Sequence, residues 1–255
     1  MNTSLEFAFN GVHSSTFDVY RVTLESGMLT EEYFLANKTV NTFKLKNDIR
    51  SHKTSVNKEP LVIPLVLWLN GNVDEEKEQR IKEWLETDDF CRLEFDGSKY
   101  HYNAMLHGQP KFTHDSVGDG YVELEFLTDS PYRFSDEVTP NNLDEPLGDS
   151  DGKTIHLIND GNKMIYPIIE ITAPGTINGL EIYNKTTNQR FTLTGTYTNL
   201  TMTIYNEYEE LHTEGNFTDL YDKHNGVFIG LKQGGNELQL TGQFYYKITY
   251  QNVYL

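Results

Sequence analysis

Alternation of apolar and polar residues is the dominant pattern along this chain. The segment FCRLEF at 90–95 places Cys91, Leu93 and Phe95 on one side of an extended chain, and YVELEFL at 121–127 repeats the pattern. A period of two turns one face of a strand towards a core and the other towards water. We therefore expect a mainly β protein built from antiparallel, half-buried sheets.

One segment departs from this period and predicts a helix. Ile81, Trp84 and Leu85 recur at the spacing of one helical face, which favours a single amphipathic helix over about residues 73–86. Asn72 precedes the segment and is followed three residues later by a glutamate, as in a capping box. The first half of the chain is thus predicted to be a β-sandwich-like domain with one helix lying across a sheet.

A polar region follows the first strands. Residues 31–45 (EEYFLANKTVNTFKL) predict a hairpin that turns near Asn37 and Lys38. Residues 46–59 contain few large apolar side chains, and we interpret them as an exposed excursion that belongs to no core.

The composition changes again near the middle of the chain. Residues 135–152 are rich in Asp, Glu, Asn, Pro and Gly, which is typical of a linker or a long loop. Short β segments separated by turn residues follow, as in an antiparallel β-sandwich. We assign residues 1–138 to an N-terminal domain, 139–152 to an acidic linker and 153–255 to a C-terminal sandwich.

Net charge and cysteine content restrict the functions that this chain can have. The 255-residue chain carries a formal net charge of −17 and a single cysteine, Cys91. Such a chain does not bind DNA phosphates or anionic lipid through bulk charge. The most apolar run, residues 61–69, is too short to span a bilayer, so no membrane insertion is expected. One cysteine excludes an intramolecular disulfide and suits a reducing compartment.

The segment GDSDG at 148–152 matches the pattern of a nucleophile elbow around Ser150. An elbow joins a strand to a helix, whereas this segment follows linker sequence and precedes a predicted strand. Asp149 and Asp151 are weak candidate calcium ligands, and the alternative is a solvated acidic linker. No zinc, P-loop or dinucleotide motif occurs, so no catalytic residue and no cofactor is predicted.

The chain is rich in tyrosine, with 16 residues of that type. Exposed tyrosines on a sandwich face stack on sugars, whereas tyrosines at sandwich edges fill the core with their hydroxyls in water. Carbohydrate binding through Tyr197, Tyr205, Tyr208 and Tyr221 is therefore the alternative function, as in host-surface adhesion.

The order of several short motifs resembles one known family. The motifs are FNG at 9–11, SPY at 130–132, NDG at 159–161, GGNELQLTG at 234–242 and ITYQNVYL at 248–255. Each is weak alone, but their order and distances resemble the distal tail proteins (Dit) of long non-contractile-tailed phages over nearly the whole chain.

The resemblance implies a structural role. Dit-like proteins form a hexameric ring around the tail channel, with a hairpin arm that wraps a neighbouring copy and a galectin-like C-terminal sandwich that projects outward. The ring joins the tail tube protein to the tail-associated fibre or lysin protein and to receptor-binding proteins. The implied location is the tail tip of the virion, after assembly in the host cytoplasm.

For this chain, the resemblance favours residues 31–59 as the arm. The candidate ring-interface residues are Phe34, Asn37, Val40, Phe43, Leu45 and Ile49. Six copies would carry a charge of −102 (6 × −17), which suits a bore through which DNA passes without specific binding.

Overall fold

The chain forms two compact units of antiparallel strands. The structure, a computed structural model, describes residues 6–22, 36–71, 73–114, 120–140, 152–213, 215 and 219–255. One unit comprises residues 1–133 with residue 255, and the other comprises residues 134–254. The predicted mainly β fold is confirmed. The acidic linker at 139–152 stays a prediction, because residues 141–151 lie outside the described residues.

The first unit is a sheet with one α-helix. Its elements are β1 (Phe7–Phe9), β2 (Val12–His13), a 3-10 helix (Ser14–Phe17), β3 (Val19–Arg21), β4 (Lys38–Phe43), β5 (His52–Lys58), β6 (Val62–Leu69), α1 (Glu75–Leu85), β7 (Cys91–Phe95), β8 (His101–His114) and β9 (Gly120–Thr128). Seven strands pair antiparallel in the order β2-β1-β7-β8-β9-β6-β3. Among the described strands, β4 and β5 pair only with each other, in a separate sheet.

Helix α1 confirms the predicted helix but not its cap. Asp74 is the N-cap, since its backbone is extended and its carboxylate accepts a hydrogen bond from the Lys77 amide at 2.8 Å. The predicted cap at Asn72 is wrong. Asn and Asp are equally good caps, so residue type alone does not choose between Asn72 and Asp74. Ile81, Trp84 and Leu85 are buried, as the helical spacing predicts.

Trp84 anchors the helix on the sheet. Its ring stacks on Phe7 and Phe17, with centroids 5.5 and 5.0 Å apart, and its indole N–H donates to the Phe9 carbonyl at 2.9 Å. The helix thereby joins the first strand to the 3-10 helix, and this aromatic cluster forms the centre of the first core.

We expect Trp84→Phe to destabilise the protein by about 2 kcal/mol, since a buried carbonyl loses its donor and part of the ring volume is left empty. Urea unfolding followed by far-ultraviolet ellipticity measures the change. Trp68→Phe is the matched control, because no acceptor among the described residues binds its indole nitrogen. Equal losses in the two variants would contradict the anchoring role of Trp84.

The second unit contains the remaining elements. They are β10 (Arg133–Val138), β11 (Lys153–Asn159), β12 (Ile168–Asn184), β13 (Gln189–Tyr205), β14 (Glu210–Thr213), α2 (Leu220–Lys223), β15 (Gly234–Thr241) and β16 (Tyr245–Tyr254). The short helix α2 was not predicted. Among the described residues, no helix has the length and apolar character needed to cross a membrane.

Strands β12 and β13 differ from the expected short segments. Each is a continuous strand of 17 residues, and the pair is irregular between Ala173 and Leu180. Residues 168–172 of β12 pair with β16, whereas residues 181–184 pair with β15. Gly175 and Gly179 have positive φ angles and allow the bend. Residues that predict turns therefore act here as bulges, where a strand passes from one sheet of a sandwich to the other.

Buried asparagines hold the loops of this unit through hydrogen bonds to backbone groups. Asn159 illustrates the pattern: its amide group donates to the carbonyls of Lys163 and Leu231 at 2.7 and 3.0 Å, and its side-chain oxygen accepts from the Gly161 amide at 2.9 Å. The other buried asparagines are Asn184, Asn206, Asn236 and Asn252. Each satisfies backbone groups that lie outside the strand ladders. The NDG motif is thus a structural element of the core.

Candidate functional site

The hairpin of β4 and β5, with the turn between them, lies outside both hydrophobic cores. We call residues 37–59 the arm. At its base the Glu59 amide donates to the Asn37 carbonyl at 3.1 Å, and the Asn37 side chain donates to the Glu59 carboxylate at 3.0 Å. Every residue of β4 is exposed. The arm is therefore a two-stranded hairpin with no core of its own, a structure that is marginal in water.

The turn of the arm corrects the sequence-based hairpin. The predicted turn near Asn37 and Lys38 is wrong, since Lys38 begins β4 and the chain reverses over residues 44–51; residues 31–35 of the predicted hairpin lie outside the described residues. The stretch 46–59 is exposed and belongs to neither core, as predicted, and it contains strand β5. Apolar-polar contrast marks strands that face a core, and these two strands face none, so the contrast was missing.

The structure places most of the predicted interface residues on this arm. Val40, Phe43, Leu45 and Ile49 are 53%, 51%, 59% and 95% exposed, which is unusual for such apolar side chains. Asn37 lies at the base, and Phe34 lies outside the described residues. The arm thus presents apolar groups to solvent, although their role in an interface stays a prediction.

The tip of the arm is ordered by one carboxylate. Asp48 accepts from the Arg50 amide at 2.9 Å and pairs with the His52 imidazole, whose ring lies 5.4 Å from that of Phe43. The Arg50 amide, and then His52, hold the pKa of Asp48 below its usual value. These contacts close the turn at neutral pH and keep the exposed arm in a defined shape.

The arm is also the basic part of an acidic chain. Residues 37–59 contain six Lys and Arg and two Asp and Glu, a net charge of +4 in a chain of −17. The remaining residues therefore carry −21 (−17 − 4). Opposite charges on two surfaces of one chain favour contacts between copies.

The four tyrosine candidates do not form one site. The prediction that Tyr197 lies on the surface is wrong, because the residue is 3% exposed. Its hydroxyl donates to the Thr194 carbonyl at 2.9 Å. Tyr221 is exposed, but its hydroxyl accepts from the Leu211 amide at 2.8 Å. Tyr205 contacts His212 edge-on, and Tyr208 is 69% exposed. Sugar binding by the last three stays a prediction.

The candidates in the GDSDG segment, Asp149, Ser150 and Asp151, lie outside the described residues. Among the residues that the structure does describe, Glu6, His13 and Asp96 place possible metal-ligand atoms within 4.8 Å of one another. The Ser15 amide donates to His13 Nδ1, which leaves the Nε2 proton for Asp96 at 3.1 Å. His13 thus caps the 3-10 helix, a role that sequence spacing did not indicate.

Three pKa shifts of the second unit follow from packing. Burial raises the pKa of Tyr246 and Tyr250 and lowers the pKa of His224, which packs against Phe191 and Phe228. These groups lie in or beside the hydrophobic core, so their shifts reflect structural burial.

Comparison with known proteins agrees with this architecture. Residues 2–130 match the family model of the phage tail protein N-terminal domain, and residues 145–250 match that of the phage tail C-terminal domain. A Bacillus subtilis (strain 168) protein, the SPbeta prophage-derived uncharacterized protein YomH, is 28% identical, with 98% of this chain and 97% of that protein aligned.

Two solved structures share the fold. The Dit protein of phage SPP1, described as a paradigm of the hub adsorption apparatus in phages that infect Gram-positive bacteria, superposes with a TM-score of 0.70. The match covers 98% of this chain and 99% of Dit, at 14% identity. A chain of the phage P2 baseplate in its activated conformation with calcium has a TM-score of 0.50, at 11% identity, over 96% of this chain and 97% of its own.

Proposed function

This chain belongs to the phage tail protein family that the two models describe, and we propose that it is the hub of a tail tip. In this role six copies form a ring around the DNA channel. The ring joins the tail tube protein to the tail-associated fibre or lysin protein and to receptor-binding proteins. It is assembled in the host cytoplasm and resides in the virion.

The arm is the observation that carries this proposal. An isolated two-stranded hairpin with exposed Val, Phe, Leu and Ile side chains gains stability when another surface covers it. Each copy carries the same arm, and the arm surface differs from the surface that would receive it. Such a contact is heterologous and, when the rotation between copies closes, it generates a ring.

The charge of the chain supports passage of DNA through the bore. With the arms covered by neighbouring copies, the remaining surface is strongly acidic and repels phosphates. DNA then slides without specific binding. Glycan binding by the second unit is the weaker alternative, because Tyr197 is buried and the Tyr221 hydroxyl is occupied.

Limited trypsin digestion tests the proposal. Lys44, Lys46 and Arg50 lie in the exposed turn of the arm, so a separate copy is cut there rapidly. We expect cleavage to slow at least about tenfold at concentrations where rings form, because the covered hairpin must first detach. A synthetic peptide of residues 38–58 is the control, since it has no ring to enter. Equal cleavage at all concentrations, with and without the tail tube protein, would contradict the proposal.

A further inference from the structure

The first unit has a second, outward face with mixed character. On adjacent strands, Trp68 of β6 lies opposite Tyr121 of β9, and Val66 lies opposite Glu123. Glu125 follows two residues along β9. We call these five residues the receiver face. The side chains that alternate with them, Leu65, Leu67, Leu124 and Phe126, are buried in the core, so the receiver face points away from it.

The receiver face has features of a surface that lacks its partner. Glu123 and Glu125 are exposed, and within the described part of the chain neither forms an ion pair. The indole nitrogen of Trp68 is buried without an acceptor among the described residues, although Trp68 packs against Tyr20 with centroids 5.9 Å apart. A buried donor without an acceptor is unfavourable, and a carbonyl from another chain that reached it would satisfy it.

The arm has two different faces, and one of them complements the receiver face in charge and in apolar character. Residues directly opposite each other on paired strands share a face of the hairpin. One face of the arm therefore carries three pairs, which are Lys38 with Lys58, Val40 with Val56, and Thr42 with Lys53. This basic face therefore flanks a pair of exposed valines with Lys38 and Lys53, whereas the ammonium of Lys58 lies 5.2 Å from the ring centroid of Tyr132 in the same chain. The other face carries Phe43 opposite His52, together with polar pairs such as Asn41 and Ser55, which already bond to each other at 2.9 Å.

We propose that the basic face of the arm of one copy binds the receiver face of the next copy. The inference rests on the proposed ring and identifies the surface that each arm meets. The valine pair lies on Val66 and the aromatic rings, and the lysines lie near Glu123 and Glu125. Lys111 of β8 lies opposite Glu123 and reduces the local negative charge, and His107 lies opposite Glu125. The apolar contact therefore supplies a large share of the affinity, and the charges set register.

A charge-reversal cycle tests the pairing. The arm variant is Lys38→Glu with Lys53→Glu, the receiver variant is Glu123→Lys with Glu125→Lys, and the third chain carries all four changes. We expect each double variant to raise the concentration for ring assembly at least about tenfold, and the four-fold variant to return it to within about threefold of the unaltered chain. Sedimentation velocity over a concentration series gives these values.

Controls separate folding and net charge from docking. Glu207→Lys with Glu209→Lys makes the same charge change on exposed residues of the second unit, and we expect it to assemble normally. All variants should retain the thermal midpoint of the unaltered chain, since every altered residue lies outside the cores.

Two outcomes would overturn the inference. If the receiver variant assembles like the unaltered chain, the arm binds elsewhere and the face is free for another role, such as lining the bore. If the four-fold variant needs as high a concentration for ring assembly as the less impaired double variant, the arm lysines do not contact the glutamates of the receiver face. In both cases the unaltered chain still forms rings, so the proposed function survives. Failure of the unaltered chain to assemble, even with the tail tube protein, would instead overturn the proposed function.

Discussion

Replacing residues 38–58 with two glycines is expected to prevent ring formation at concentrations where the unaltered chain assembles, while leaving both units folded. The ends of the deletion already meet, because the Glu59 amide donates to the Asn37 carbonyl at 3.1 Å, and a two-residue turn spans such a pair. No arm residue belongs to either core, so the free energy of unfolding should change by less than about 0.5 kcal/mol. The ring, in contrast, loses its main contact between copies.

The effect on assembly should be large. Losing the arm should raise the concentration for ring formation at least about 100-fold, which corresponds to about 2.7 kcal/mol per interface. Analytical ultracentrifugation measures the shift, and the thermal midpoint verifies the fold. A chain with Val40→Thr and Val56→Thr keeps the shape of the hairpin and should show an intermediate shift. Rings that assemble normally without residues 38–58 would show that the arm is dispensable.

The second large effect is expected from Gly161→Ala. A Cβ atom at this position would lie 2.5 Å from the carbonyl oxygen and 2.7 Å from the amide nitrogen of Val253. Both atoms belong to the backbone of β16, which cannot yield without breaking its pairing. We expect a loss of about 3 kcal/mol in the stability of the second unit, at the upper end of overpacking costs.

The position of the tryptophans makes this prediction specific. Both tryptophans of the chain, Trp68 and Trp84, lie in the first unit, so urea unfolding followed by tryptophan fluorescence reports on that unit. The urea midpoint of the fluorescence transition should not change. The part of the ellipticity loss that comes from the second unit should move to a lower urea concentration. Gly235→Ala is the matched control, because a Cβ atom there meets nothing within 4 Å. Equal stability of the two variants would contradict the close approach of Gly161 to β16.

The sequence indicated the features that burial produces. Cys91–Phe95 and residues 121–127 alternate because one face of each strand enters a core, and α1 shows its apolar stripe for the same reason. The strands and turn of the arm were misplaced within residues 31–59, because β4 faces no core and carries no such contrast. Bends in β12 were misassigned as turns, since Gly175 and Gly179 serve bulges and turns equally well.

The interaction surfaces were less accessible to sequence reasoning. Val40 and Phe43 were named as interface candidates through the family resemblance, and the structure adds that both are about half exposed, at 53% and 51%. The receiver face depends on the register of β6 with β9, which brings Trp68 beside Tyr121 from distant parts of the chain. Tyr197, singled out for its type, proved to be a core residue, since tyrosine content does not distinguish edges from open faces.

The mass of the purified chain in solution tests the central claim most directly. Light scattering across a concentration series should give six copies of the 29.4 kDa chain, about 176 kDa (6 × 29.4), or a stack of two such rings. A mass of one copy at every concentration, unchanged when the tail tube protein is added, would contradict the ring.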